Sequence, residues 1–278
     1  MLKKLAFFSA FSCLMIAADA QQLRTPAPST AQTIKQELGI GSVELSYSRP
    51  NARSRKVFGD LVPYNAVWRT GANNATTLTF SDEVVVNGTK IPAGKYGLLS
   101  IPTPKEWELI ITKQTDVTSP AAYKKESDVV RVKVPVKSTA SPVETFTIQF
   151  ANVKPASADL QISWENSMVT LPITMDVDSK VMAQINTAMT GEKPPYFQAA
   201  MYYMETGRDM KQAIQWFDKA AEQNPEAFWI HHQRAAALAK AGRKEDARKA
   251  ANTSIELARK AQNMDYVRLN ENLLNTLK

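Results

Sequence analysis

The chain has 278 residues, enough for one or two sizeable cores. A content of 44% apolar and 22% charged residues, with only 10 Gly and 15 Pro, excludes a fibrous or low-complexity protein. The formal charge of +7 is spread evenly, with 19 Lys/Arg against 16 Asp/Glu over residues 21–195 and 13 against 10 over 196–278, so no polybasic field invites nucleic acid.

Residues 1–20 predict a signal peptide. Lys3 and Lys4 form the basic start, Leu5 to Ala17 a short apolar run, and Ala18-Asp19-Ala20 a cleavage signal before Gln21. The run is shorter than the roughly 20 apolar residues that span a bilayer, so no transmembrane segment is expected after cleavage. A lipid anchor at Cys13 fits poorly, because Ala10 and Phe11 precede it. The expected destination is periplasmic or extracellular. Cys13 is the only cysteine and lies in the part expected to be removed, which leaves the mature chain without disulfides, thiol nucleophiles or thiolate metal sites. Such a chain must depend on its apolar core.

Residues 21–33, rich in Pro, Ser, Thr and Gln, read as a flexible lead-in. From about 43 to 176 the apolar period is two. Val43, Leu45 and Tyr47 alternate with polar residues, as do Leu78 and Phe80, Leu109 and Ile111, and Val130, Val132, Val134 and Val136. Phe146, Ile148 and Phe150 follow, then Leu160, Ile162 and Trp164, then Val169, Leu171, Ile173 and Met175. This is the pattern of antiparallel strands with one face buried, and eight or nine short strands predict an all-β antiparallel sandwich over residues 34–177. Asn87-Gly88 predicts a tight hairpin between Val84–Val86 and Lys90-Ile91. The polar Glu165-Asn166-Ser167 predicts the turn of a closing hairpin.

Near Asp178 the rhythm becomes helical. Val181, Met182, Ile185, Ala188 and Met189 share one face, with Asp178 or Ser179 as the N-cap, and Gly191 and Pro194-Pro195 end the helix. Residues 178–195 are therefore expected to be a connecting helix and linker, with the boundary at about 192–195. Residues 196–278 are expected to be helical throughout. Ala213, Phe217 and Ala220 return 34 residues later as Ala247, Ala251 and Ser254, with Pro225 at the turn between them. Small residues at this period let antiparallel helices approach closely, and the segment resembles the tetratricopeptide repeat. Only about two repeats are present and the aromatic signature is degenerate. The array is therefore expected to lean on a neighbour, either the β-domain or the helix at 178–190, with a last helix near 263–277 as a cap.

The densest stretch of polar and aromatic residues is 47–74. It carries Arg49, Arg53, Arg55, Lys56 and Arg69 against Asp60 alone, with Asn51, Asn73, Asn74, Tyr47, Tyr64 and Trp68. Ser48-Arg49-Pro50, Arg55-x-x-Phe58-Gly59 and Trp68-Arg69-Thr70-Gly71-Ala72-Asn73, with Pro92-Ala93-Gly94-Lys95-Tyr96 and Trp107, resemble the hallmark segments of the domain of unknown function 2911. That resemblance covers about residues 25–176 and implies an exported bacterial β-domain. It supplies no reaction, cofactor or site residue.

Guanidinium forks beside amides and indoles suit carboxylates, phosphates or sugar hydroxyls. Arg49, Asn51, Arg55, Trp68, Arg69 and Asn73 are thus the candidate ligand-binding residues, for a glycan or an anionic small molecule. The alternative is that Arg49, Arg69 and Asn73 tie long loops together by bonding carbonyls. Other constellations are weak. His231 and His232 are the only histidines and are adjacent, without metal-ligand spacing. Ser100 and Ser163 lack a histidine base in the β half. Asp60, Asp82, Glu83 and Glu165 show no paired arrangement. No cofactor or metal is expected. Phe228 and Trp229 are expected to pack between helices, although such an array can instead offer aromatic residues, Tyr203 and Trp229 here, to a protein partner. The sequence therefore favours a non-catalytic binding or scaffold protein of the bacterial envelope, with a carboxylate-using hydrolase as the alternative.

Overall fold

The computed structural model describes residues 25–277, so the predicted signal peptide lies outside the described residues. The chain divides into two compact units between Met175 and Asp176.

The first unit is two antiparallel sheets. A six-stranded sheet runs in the order β1 (Thr30–Leu38), β2 (Gly41–Arg49), β3 (Thr77–Phe80), β6 (Gly94–Pro102), β7 (Glu106–Thr112) and β8 (Asp128–Pro135). A four-stranded sheet runs β5 (Thr89–Ile91), β4 (Val84–Val86), β10 (Ser157–Thr174) and β9 (Lys137–Lys154). The alternating residues Leu45, Leu78, Leu109, Ile148, Leu160, Ile162, Leu171 and Ile173 all lie in the core. The sandwich therefore follows from the period-two pattern, with one face of each sheet turned inward. The Asn87-Gly88 turn joins β4 and β5 as expected, with Val86 opposite Thr89. β1 begins at Thr30, inside the stretch read as a flexible lead-in.

Two expectations need correction. The strands are not all short: β9 and β10 each have 18 residues. Nor does Glu165-Asn166-Ser167 reverse the chain. β10 passes straight through it, and the closing hairpin is β9–β10, with Lys154 opposite Ser157. Glu165 sits at φ 53 where the register against β9 shifts. It is a bulge, which bends a strand and flips the buried parity without reversing it. The parity records this: buried positions are even through Trp164 and odd from Val169.

Strict alternation also fails in β6 and β7. Leu99 and Ile110 point away from the inter-sheet core, yet both are buried with Val117 in a satellite cluster. The connection from Thr112 to Asp128 folds back over this outer face. It passes so close to β6 that a Cβ on Gly97 would lie 2.0 Å from the Gln114 carbonyl oxygen. Only a residue without a side chain permits that approach.

The second unit contains α1 (Val177–Ala188), α2 (Tyr196–Glu205), α3 (Met210–Gln223), α4 (Phe228–Lys240), α5 (Lys244–Lys260) and α6 (Met264–Thr276). The N-cap of α1 is Asp176, whose carboxylate accepts from the Ser179 backbone N–H, not Asp178 or Ser179. Asp178 is occupied elsewhere: it accepts from Tyr202 Oη (2.7 Å) and Arg208 Nη2, tying α1 to α2 and to the turn after it. Helices α2 and α4 close with the same long terminal bond, running from Arg208 N to Tyr203 O and from Arg243 N to Leu238 O (both 2.9 Å).

The residues that recur 34 positions apart, small except for Phe217, are buried as a set: Ala213, Phe217 and Ala220 on α3, and Ala247, Ala251 and Ser254 on α5. The one polar member, Ser254, is part of a network that sews three helices together. Its hydroxyl donates to Phe228 O (2.7 Å) and accepts from Asn270 Nδ2 (2.9 Å), while His232 Nδ1 bonds Asn270 Oδ1 (2.9 Å). A buried amide is tolerated because its oxygen and nitrogen are both satisfied. His231 instead bonds Pro225 O through Nε2 (2.9 Å). Neither histidine belongs to a metal-binding group, and none was found among the described residues. Trp229 corrects an expectation: it is 42% exposed, while its neighbour Phe228 packs against Tyr266.

Candidate functional site

The 47–74 cluster serves two different purposes, and the hydrogen bonds separate them. Residues 47–52 lie along the open edge of β9. Pro50 O accepts from Phe146 N (2.8 Å), and Ala52 N donates to Glu144 O (2.8 Å). Tyr47 Oη accepts from Ile148 N and donates to Ile148 O, both at 3.0 Å. Arg49 donates from Nε to Phe146 O (3.2 Å) and from Nη2 to Thr147 Oγ1 (2.9 Å). Asn51 Oδ1 accepts from Thr145 Oγ1 (2.7 Å). The free backbone groups of an edge strand are thus satisfied from within the chain. Arg49 and Asn51 are structural ties in this geometry. Asn73 stands apart from both, exposed, with Nδ2 donating to Ser29 O (3.0 Å).

Residues 65–76 run beside β6 beyond the end of β3. Trp68 and Ser100 exchange backbone bonds at 2.8 and 2.9 Å, and Asn65 N donates to Pro102 O (2.9 Å). Asn65, Thr70 and Asn73 all have φ near 55–60°. At Gly71, with φ 154°, a Cβ would lie 3.0 Å from Thr76 Oγ1 and 3.2 Å from Ser48 O. Thr70 is held in its left-handed conformation by donating to Ser100 Oγ (2.9 Å) and by accepting at its carbonyl from Thr76 Oγ1 (2.7 Å). Such conformations persist only where surrounding bonds fix them, and they gather at functional sites.

This strained segment forms one wall of a cavity of about 500 Å³. Leu61, Val62, Val67 and Trp68 supply apolar surface, Thr118 and Pro120 a further wall, and Arg55 and Arg69 the only charged lining among the described residues. Behind it lies an aromatic cluster. Trp68 stacks on Trp164 at 6.0 Å and 19°, and meets Phe146 edge-on at 5.1 Å; Phe58 packs on Trp107 at 4.8 Å. Trp164 is only 1% exposed, so it supports the floor more than it offers surface. The size, apolar walls and few polar groups are those of small-molecule sites generally.

The two arginines are held differently. Arg55 donates from Nε to Ala52 O (2.9 Å) and from Nη2 to Asn51 O (2.8 Å). Arg69 donates from Nη1 to Thr118 O. The wall that carries Thr118 is itself braced. Gln114 spans it, bonding Ala122 O and Lys124 N at 3.0 and 2.7 Å. Tyr123 donates to Asp128 Oδ2 (2.5 Å), which also takes Arg131 Nε (2.8 Å), while Arg131 Nη1 reaches Glu108 (2.7 Å). Burial, and then the Asp128 carboxylate, push the Tyr123 phenol up to about 12.

Of the six candidate ligand residues, Arg55, Trp68 and Arg69 come together on the cavity, whereas Arg49, Asn51 and Asn73 do not. None of Asp60, Asp82, Glu83 and Glu165 lines it. Glu165 and Glu144 instead share a shallower groove, where their carboxylates accept from Val57 N (3.3 Å) and Arg53 N (2.8 Å). Sequence reasoning missed Leu61, Val62, Thr118 and Pro120 as lining residues. Their convergence depends on the return of the 113–127 connection, for which no local pattern exists. In the helical unit, Tyr203 is half-buried between Trp216 (4.6 Å) and the Arg208 guanidinium (5.8 Å), and only Trp229 of the two partner candidates stands open.

An antiparallel two-sheet sandwich bearing a strained, arginine-lined cavity, followed by an array of six helices, defines the class of architecture. A family model described as Protein of unknown function (DUF2911) matches residues 29–173, and the chain belongs to that family. No curated protein and no solved structure matches the chain.

Proposed function

We propose that the protein is an exported, non-catalytic binding protein whose β half takes a small anionic molecule with an apolar portion. The observation that carries this reading is the cavity beside Trp68, where apolar walls meet two guanidinium groups and, among the described residues, no carboxylate. An apolar enclosure strengthens the attraction of a cation for an anion, so two arginines without a counter-charge favour a negatively charged ligand. A glycan is the weaker form of the proposal, because the Trp164 face is covered and offers little for a sugar ring to stack on. Export is supported by the basic, apolar and small-residue order of residues 1–20.

A thermal-shift screen of carboxylates, phosphates and neutral sugars tests the reading. Ligands that stabilise the protein are expected to lose their effect in Ala66→Trp, which fills the cavity from its wall. Stabilisation that persists in a folded Ala66→Trp protein would remove the cavity from consideration.

The helices are proposed to be a tetratricopeptide-like array that docks a protein partner. Two observations support this: the recurring small residues are buried together, and Trp229 lies open on α4.

A further inference from the structure

Hydrogen-bond accounting within the cavity distinguishes the two arginines and narrows the ligand. A guanidinium binds a carboxylate best through two parallel N–H groups, and the Nε–Nη2 edge is one such pair. In Arg55 that edge is occupied, since Nε and Nη2 both donate to loop carbonyls. In Arg69 the reverse holds. Nη1 is bonded to Thr118 O, while Nε and Nη2 have no hydrogen-bond partner among the described residues. The bond to Thr118 also fixes the guanidinium against the wall, so part of the ordering cost of binding is met before a ligand arrives.

We propose that Arg69 is the anchor of the site, presenting its Nε–Nη2 edge to one carboxylate of an apolar monocarboxylic acid, and that Arg55 is a braced wall residue. This rests on the cavity being a ligand site, as proposed above. The choice of carboxylate follows from the count of donors. One free edge matches two coplanar oxygens and a single charge. A phosphate ester carries a third oxygen and up to two charges, and the only other cation lining the cavity among the described residues, Arg55, has its Nε–Nη2 edge bonded to loop carbonyls and only its Nη1 side open. The remaining volume, lined by Leu61, Val62, Val67 and Trp68, suits an alkyl or aryl body.

The full chain, titrated calorimetrically with octanoate, octyl phosphate and octanol, tests the assignment. Octanoate is expected to bind tightest, and Arg69→Ala to reduce its affinity about tenfold or more, to the level of octanol. Arg69→Lys should recover only part of this loss, because an ammonium cannot present the paired donors. Arg55→Ala should cost only a few-fold. Octyl phosphate binding more tightly than octanoate would overturn the assignment, as would equal losses in the two alanine variants. If octanoate and octanol bind alike and Ala66→Trp abolishes both, the cavity reading survives and the carboxylate assignment falls. If Ala66→Trp changes none of the affinities, the cavity reading falls with it.

Discussion

Arg49 ties the end of β2 to the edge of β9. A guanidinium in a polar loop suits a ligand oxyanion, but here its oxygens are Phe146 O and Thr147 Oγ1 of β9. Arg49→Ala is expected to cost about 1.5–3 kcal/mol, the range for losing hydrogen bonds to a charged donor. It should also expose the strand edge to pairing between molecules. Urea unfolding and light scattering would check both. An unchanged midpoint without added scattering would mean that the ties from Tyr47 and Pro50 suffice alone. The segment 47–74 was legible as special, because its arginine, asparagine and tryptophan content stands out. Which of its residues tie and which line a cavity was not legible. That depends on the distant partners Thr118 and Phe146, each reached by a side chain that one sequence leaves free to point anywhere.

Among elements, legibility followed the length of the repeating pattern. The core faces of β2, β9 and β10 were readable because burial on one face imposes alternation. The bulge at Glu165 looks like a turn in the sequence, because three polar residues between apolar runs suit either. The shift from even to odd buried positions was the signal that could have distinguished them. The helices were readable from their small-residue period, but Trp229 was not. On α4 both Ile230 and Trp229 are large, and it is the packing of α2 and α3 residues such as Phe197 and Ala220 that decides which is covered. The exposed indole gives the docking proposal its test. Trp229→Ala should leave the helical circular dichroism unchanged and abolish cross-linking to a partner in an envelope extract. Cross-linking equal to that of the wild type would place docking elsewhere or nowhere.

At the scale of the whole molecule, the helical unit carries a sensitivity at the acid end of the pH range, and both units carry one at the alkaline end. In the helical unit, hydrogen bonds from Arg208, then Tyr202, hold the Asp178 carboxyl below its ordinary 3.8. A lowered folded value means that the contribution to stability is present above 3.8 and is lost as pH falls through the folded value. The gap in thermal midpoint between the wild type and Asp178→Asn should therefore narrow on acidification. A gap that stays constant would deny Asp178 this role. In the β unit the sign is reversed. Tyr123 moves from 10.0 to about 12, so its contribution is complete below pH 10 and disappears as the pH rises toward 12. Tyrosinate absorbance should show phenols ionising late, with Tyr123→Phe removing one of them; Tyr202, also pushed up to about 12, is another.

Gly97 gives the cavity wall an unusual kind of address. The connection that carries Thr118 is seated where β6 lacks an atom, and Gln114 lies over that vacant spot. Every other amino acid would put carbon there and lift the wall from the strand beneath it. The shape of whatever this protein holds is thus written partly in a side chain that does not exist.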